Sequence, residues 1–172
     1  MKNIPEFVDL TTNDQVKIIQ SCLFELLIIN FVHYYDANEN SLVIGNTSYH
    51  FQLLKNCGFS SEELENCLQS MDKKQFNEME TALIMAIVIF SEDRGCINPS
   101  VMETQENYAF VLQKILEQRQ IESLNSTKFL FPELLLQLST IRRLSTKFQP
   151  YLVTIISQCS DFLPPLLSEL VN

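Results

Sequence analysis

The chain has 172 residues, 46% of them hydrophobic and 19% charged, which supplies ample material for one buried core and excludes a disordered segment. Twelve Lys and Arg stand against 21 Asp and Glu, a formal charge of -9; such a surface repels phosphate backbones, so direct nucleic-acid binding by this chain is not expected. The five cysteines at 22, 57, 67, 96 and 159 form no CxxC pair and have no nearby histidines, which argues against a zinc site or a disulfide scaffold and leaves no metal or cofactor to expect.

Helical periodicity dominates, with the three glycines and most of the six prolines at joints, and an all-α fold is predicted. A first long helix should run from about Thr12 or Asn13, where a Thr or Asn can cap it, to about Tyr35. Ile18, Ile19, Cys22, Leu23, Leu26, Leu27, Ile28, Ile29 and Phe31 leave it only a narrow polar edge, the mark of a core helix surrounded by others. "NENSLVIGNTSYH" places apolar and β-branched residues on one side of Gly45-Asn46 and predicts a small hairpin.

Helices are predicted next near 49–57 and 61–71. In "QFNEMETALIMAIVIFSEDRG" the helix-forming lead-in and the length favour a buried helix ending near Ser91 over a buried strand. A further helix starts at about Pro99 and presents Tyr108, Val111, Leu112, Ile115 and Leu116 on one face. The last long helix starts near Lys128 and carries Leu134, Leu138, Ile141, Leu144 or Ser145, and Phe148 along a stripe. The chain then closes on "LPPLLSELVN", an apolar tail that needs a groove to lie in or a partner to hold it.

No internal repeat, low-complexity segment or long linker divides the chain, so one domain is expected. "MKNIPEFVDL" lacks the apolar core of a signal peptide, and the longest apolar run, Ala82 to Phe90, is too short to span a bilayer. The reading is a protein of the nucleus or cytoplasm without a membrane partner, whose sequons Asn46-Thr47-Ser48 and Asn125-Ser126-Thr127 stay idle. Catalysis finds no support: His33 and His50 have no nucleophile or acid beside them, and no Gly-rich phosphate loop, HExxH or GxSxG occurs.

"IPEFVDLTTNDQVKIIQ" resembles the signature of nuclear-receptor ligand-binding domains, in which a helix ends at a Pro-x-Phe turn and an Asp-Gln pair opens the next: here Pro5, Phe7, Leu10, Asp14 and Gln15. "ALIMAIVIFSEDRG" resembles the buried helix and following loop of the vitamin D, bile-acid and oxysterol receptor branch. "LLLQLSTIRRLS" is similar to its penultimate long helix, and "LPPLLSEL" to its terminal activation helix. The resemblance implies a layered antiparallel helical sandwich with one small β-hairpin. It also implies that 1–172 is a partial ligand-binding domain, running from the end of the family's third helix to its terminal activation helix, with no DNA-binding domain.

By that resemblance the module binds a small lipophilic ligand and recruits coactivator or corepressor peptides through a movable C-terminal helix. Lys2 and Glu169 match the clamp that holds the two ends of an LxxLL helix, while Lys17, Gln20, Leu166, Leu167 and Leu170 belong to the groove and lid. The clamp has a physical reason: a helix exposes partial positive charge at one end and partial negative at the other. Leu27, Asn30, Phe31, Leu144, Phe148 and Leu152 fall at the pocket. Asn30 stands where relatives often carry an arginine, and Phe148 where they often carry a histidine, so a carboxylate ligand would lack its guanidinium partner and a less polar ligand is expected. Glu25 and Arg94 match the pair that marks receptors forming heterodimers with a retinoid X receptor-like partner. As an exposed pair they should contribute little to folding. Two alternatives stand beside this reading: a ligand-independent dimerisation or coregulator module, and a truncated receptor fragment.

Overall fold

The computed structural model describes residues 4–51, 61–94, 99–122 and 129–158. Helix α1 (Pro5–Val8) starts on a proline, whose missing N–H costs nothing in a first turn. Helix α2 (Thr12–Phe31) is capped one residue earlier than predicted, by Thr11, whose Oγ1 accepts the Asp14 N–H at 3.2 Å. The Gln15 side-chain amide donates to the carbonyls of Phe7, Val8 and Leu10 at 2.9, 3.3 and 3.3 Å, and Phe7 and Leu10 are buried. These contacts give the Pro5, Phe7, Leu10, Asp14 and Gln15 pattern its physical content: a one-turn helix is folded back and tied to the start of the next by a side-chain amide.

The α-helical hydrogen bonding of α2 stops at Phe31 rather than near Tyr35, and a 3-10 turn, Val32–Tyr34, takes over. Strands β1 (Tyr35–Asp36), β2 (Ser41–Ile44) and β3 (Thr47–His50) then form an antiparallel sheet in the order β1-β2-β3. Ile44 pairs with Thr47 around Gly45-Asn46, with Gly45 at φ +62°, the first-position left-handed residue that a type II′ turn requires. The predicted hairpin is therefore present, extended by one strand of two residues, too short to carry a periodic signal.

Helix α3 (Glu62–Asp72) matches the segment predicted at 61–71. Of the helix predicted near 49–57, Tyr49 and His50 belong instead to β3, where they pair with Leu42 and Ser41, and residues 52–57 lie outside the described residues. Helix α4 (Glu78–Ile89) opens with a capping box: Asn77 Oδ1 accepts the Glu80 N–H, and the Glu80 carboxylate accepts the Asn77 N–H. Ile84, Ile87, Val88, Ile89 and Phe90 are buried as α4 passes between α2 and α5 (Pro99–Glu122). The segment is thus helical, and a strand reading is excluded.

Helix α6 (Leu130–Gln158) begins two residues later than predicted and contains Pro150. Its Leu134, Ile141, Leu144 and Ser145 are buried, and Leu138 and Phe148 are partly buried against the core. On α5 the buried face is Val101, Thr104, Leu112 and Leu116, and the predicted Val111 is 46% exposed. Val111 lies about 100° around the helix from Leu112, off the face that meets α4.

Helix α2 is less enclosed than its composition suggested. Ile18, Cys22, Glu25, Ile28 and Ile29 are buried, while Ile19, Leu23, Leu26, Leu27 and Phe31 are half-buried. The segment Thr12–Tyr34 has the length and hydropathy of a bilayer span, a property that the shorter run Ala82 to Phe90 does not reveal. Its packing against α4 and α6, with a buried charge in mid-helix, is the arrangement of a core helix.

Candidate functional site

One side of α2 lines a cavity of about 180 Å³. Phe24, Leu27, Ile28 and Phe31 come from α2, and they share a face because they stand at i, i+3, i+4 and i+7. Leu42 of β2, Leu64 of α3 and Phe148 of α6 complete the described wall. Every one of these side chains is apolar, so the cavity rewards an apolar body and offers an ionic group no counter-charge.

Three of the pocket residues inferred from sequence meet here: Leu27, Phe31 and Phe148. Leu144 is fully buried in the core and Asn30 is half-buried, and neither lines this cavity. The side chain of Leu152 lies outside the described residues. Sequence reasoning missed Phe24, Ile28, Leu42 and Leu64 as lining residues. The helical spacing that joins Phe24 and Ile28 to Leu27 and Phe31 was the available signal for the first two; Leu42 and Leu64 carry none, because their approach depends on tertiary packing.

An adjoining side of α2 carries a buried ion pair. Glu25 and Arg94 are 3% and 6% exposed, and the pairing is bidentate, with Arg94 Nη1 to Glu25 Oε1 at 2.9 Å and Nη2 to Oε2 at 2.7 Å. Arg94 Nε also donates to the Val88 carbonyl at 3.1 Å, and Nη1 to the Ser21 carbonyl at 3.0 Å. The expectation of an exposed pair of little worth to folding is overturned. Glu25 faces the 3-10 turn Glu92–Arg94 after α4, and closure of that turn over α2 removes both charges from water.

Burial works to pull the Arg94 guanidinium down, but the hydrogen bonds and charge of Glu25 outweigh it and hold it above its ordinary value. Next to the pair, burial pushes the Cys22 thiol up to about 11, the field of Arg94 opposing and that of Glu25 adding. Arg142 of α6 reaches in from the surface, 3.5 Å from Glu25 Oε1, and also pairs with Asp93. Partial burial would raise the Asp93 carboxyl, yet the Ser91 hydroxyl and the Arg142 charge bring it below its ordinary value.

Of the groove residues, Lys17 and Gln20 are exposed on α2, near exposed Val16. Lys2, Leu166, Leu167, Glu169 and Leu170 lie outside the described residues. Among the described residues no group of three or more His, Cys, Asp or Glu side chains is placed to hold a metal ion.

The sequence profile of the family described as the ligand-binding domain of nuclear hormone receptor matches residues 1–155. Over 176 residues the chain is 28% identical to nuclear receptor subfamily 1 group I member 2 of Rattus norvegicus, covering 99% of this chain and 40% of that protein. It is 24% identical to thyroid hormone receptor alpha-B of Xenopus laevis over 98% of this chain and 41% of that one. Vitamin D3 receptor of Sus scrofa is 27% identical, again over 98% and 41%. The chain spans about two fifths of the length of these curated relatives.

Proposed function

Because the chain belongs to the family of nuclear hormone receptor ligand-binding domains, we propose that it serves ligand-regulated transcription in the nucleus, taking a compact, uncharged, lipophilic molecule between α2, α3 and α6. The observation that carries this reading is the apolar cavity of about 180 Å³ bounded by Phe24, Leu27, Phe31, Leu64 and Phe148. It is smaller than the ~300–1,000 Å³ common for small-molecule sites, which selects for a compact ligand. The absence of a charged group from its described wall selects for a neutral one.

Coregulator exchange then follows as a population shift. A ligand that packs against α2 and α6 favours the docked C-terminal helix, and the docked helix completes a groove for an LxxLL peptide. In this reading Glu169 meets the peptide's amide end and Lys2 its carbonyl end, with Lys17 and Gln20 along the groove and Leu166, Leu167 and Leu170 holding the lid. The partner is a retinoid X receptor-like subunit. Exposed Phe110 and Val111 on α5 and Leu135 and Leu136 on α6 supply apolar surface for such a contact.

The same surface favours a second reading, a dimerisation or coregulator module that needs no ligand. Displacement of a lipophilic fluorophore separates the two. The parent chain should bind the probe, and Leu64→Trp, which fills the cavity, should abolish binding while far-UV circular dichroism stays unchanged. Equal binding by both proteins would remove the ligand reading and leave the module. Fluorescence anisotropy with an LxxLL peptide tests the lid: Glu169→Ala should weaken binding by about 1–3 kcal/mol, the cost of an unmet charged hydrogen bond.

A further inference from the structure

A second cavity, of about 230 Å³, opens on the far end of α2 and shares no lining residue with the apolar one. Its floor is apolar, with Ile29, Met71 and Ile84 all buried. Its rim differs in chemistry. Asp72 brings a carboxylate at the end of α3, and Tyr35 and Phe76 bring aromatic rings. Thr81 lines the cavity while only 8% exposed. A hydroxyl on such a mostly enclosed wall can accept a hydrogen bond from a bound molecule.

We propose that this cavity is a second binding site, for a small organic amine whose ammonium meets Asp72 and Thr81 and whose apolar body rests on Met71 and Ile84. The field there suits a cation. Partial burial raises the Tyr35 phenol above its ordinary value, and the neighbouring carboxylates of Asp72, Glu65 and Asp36 raise it further. The Phe76 ring already holds one cation, the Arg119 guanidinium, 5.9 Å from its centroid. Among the described residues the Asp72 carboxylate engages Gln75 Nε2 alone, through a long 3.3 Å contact to Oδ1, which leaves acceptor capacity for a ligand. Among the described lining residues His33 is the remaining ionisable group, and the chain's charge of -9 adds a general attraction for cations.

The site is independent of the lipophilic cavity and its test is separate. The full chain is titrated with benzylamine and, in parallel, with benzyl alcohol, which has the same ring and no charge, by isothermal titration calorimetry with NMR detection of the aromatic resonances. Benzylamine should bind at least tenfold more tightly than the alcohol and shift Tyr35 and Phe76. Asp72→Asn should remove that preference, and Thr81→Val, which keeps the side-chain shape, should weaken benzylamine several-fold. Circular dichroism of each variant guards against a folding defect, and Thr81→Val carries the test alone if Asp72→Asn does not fold. Phe148→Trp, in the other cavity, should leave benzylamine binding unchanged. Equal affinity for amine and alcohol, no benzylamine binding at millimolar concentration, or affinity unmoved in folded Asp72→Asn and Thr81→Val proteins would overturn the proposal.

Discussion

The two sides of α2 solve opposite problems with the same helical turn. Toward the Glu92–Arg94 turn, Glu25 is held by both Nη atoms of Arg94, which in turn also satisfies two backbone carbonyls. Toward β2, α3 and α6, Phe24, Leu27, Ile28 and Phe31 face open space. The charged side is saturated and the greasy side is underfilled. Saturation fixes the helix in rotation and register, since a bidentate pair tolerates little displacement; the other side can then stay incompletely packed without letting the helix turn. Apolar packing is tolerant of rearrangement, whereas buried charge is not.

The sharpest way to break this contrast is to remove one charge. Arg94→Ala leaves Glu25 buried without its partner and should lower stability by about 3–5 kcal/mol, read as the urea midpoint; a loss below about 1 kcal/mol would mean that water reaches Glu25. Replacing both members, Glu25→Leu with Arg94→Met, should recover part of that loss, because no buried charge is left unpaired while the Val88 and Ser21 carbonyls lose the Arg94 donor. On this folded background the proposed heterodimer role becomes measurable: weaker assembly with a retinoid X receptor-like partner would assign the pair a part in partner choice beyond folding.

Enlarging side chains sharpens the packing half. Leu144→Phe, in a site with no exposure, should cost about 1–3 kcal/mol through overpacking. Leu42→Phe, which grows into the cavity, should cost less than about 1 kcal/mol. Equal costs in thermal unfolding would mean that the cavity closes in solution.

The smallest effect at neutral pH concerns the thiols. Burial pushes Cys22, beside the ion pair, and Cys67, one turn along α3 from Leu64, up to about 11. An unfolded thiol ionises from about pH 9, while the folded one keeps its proton until about 11, so the folded state loses stability as pH rises through that window and gains nothing below it. Thiol-disulfide reagents at pH 8 should leave both residues unmodified until the chain unfolds.

Much of this molecule can be read from its residues. The capped starts of α2 and α4, the Gly45 turn and the helical identity of the Ala82–Phe90 segment follow from local chemistry. What escaped depends on distance along the chain. Glu25 and Arg94 are paired through the family resemblance, but their burial escaped, because the partners lie 69 residues apart and no spacing rule shows the turn closing over them. β1 is two residues long and has no period to detect. Val111 differs from Leu112 by a single step around the helix, and only the position of α4 decides which is covered. In the cavity, the four α2 residues share a readable stripe, whereas Leu42, Leu64 and Phe148 meet them only because three elements converge.

A four-residue helix has no stability of its own, since nucleating a turn costs more than its few hydrogen bonds return. Yet α1 holds buried Phe7, and its carbonyls are gripped by the Gln15 amide. In the language of hydrogen exchange, α1 has no local opening reaction of low cost as long as that amide stays in place. Its slowest amides should exchange on the timescale of the first turns of α2, as one cooperative unit. The segment then moves with the helix that also lines the cavity, so whatever loosens or tightens α2 is reported at residues 5–8.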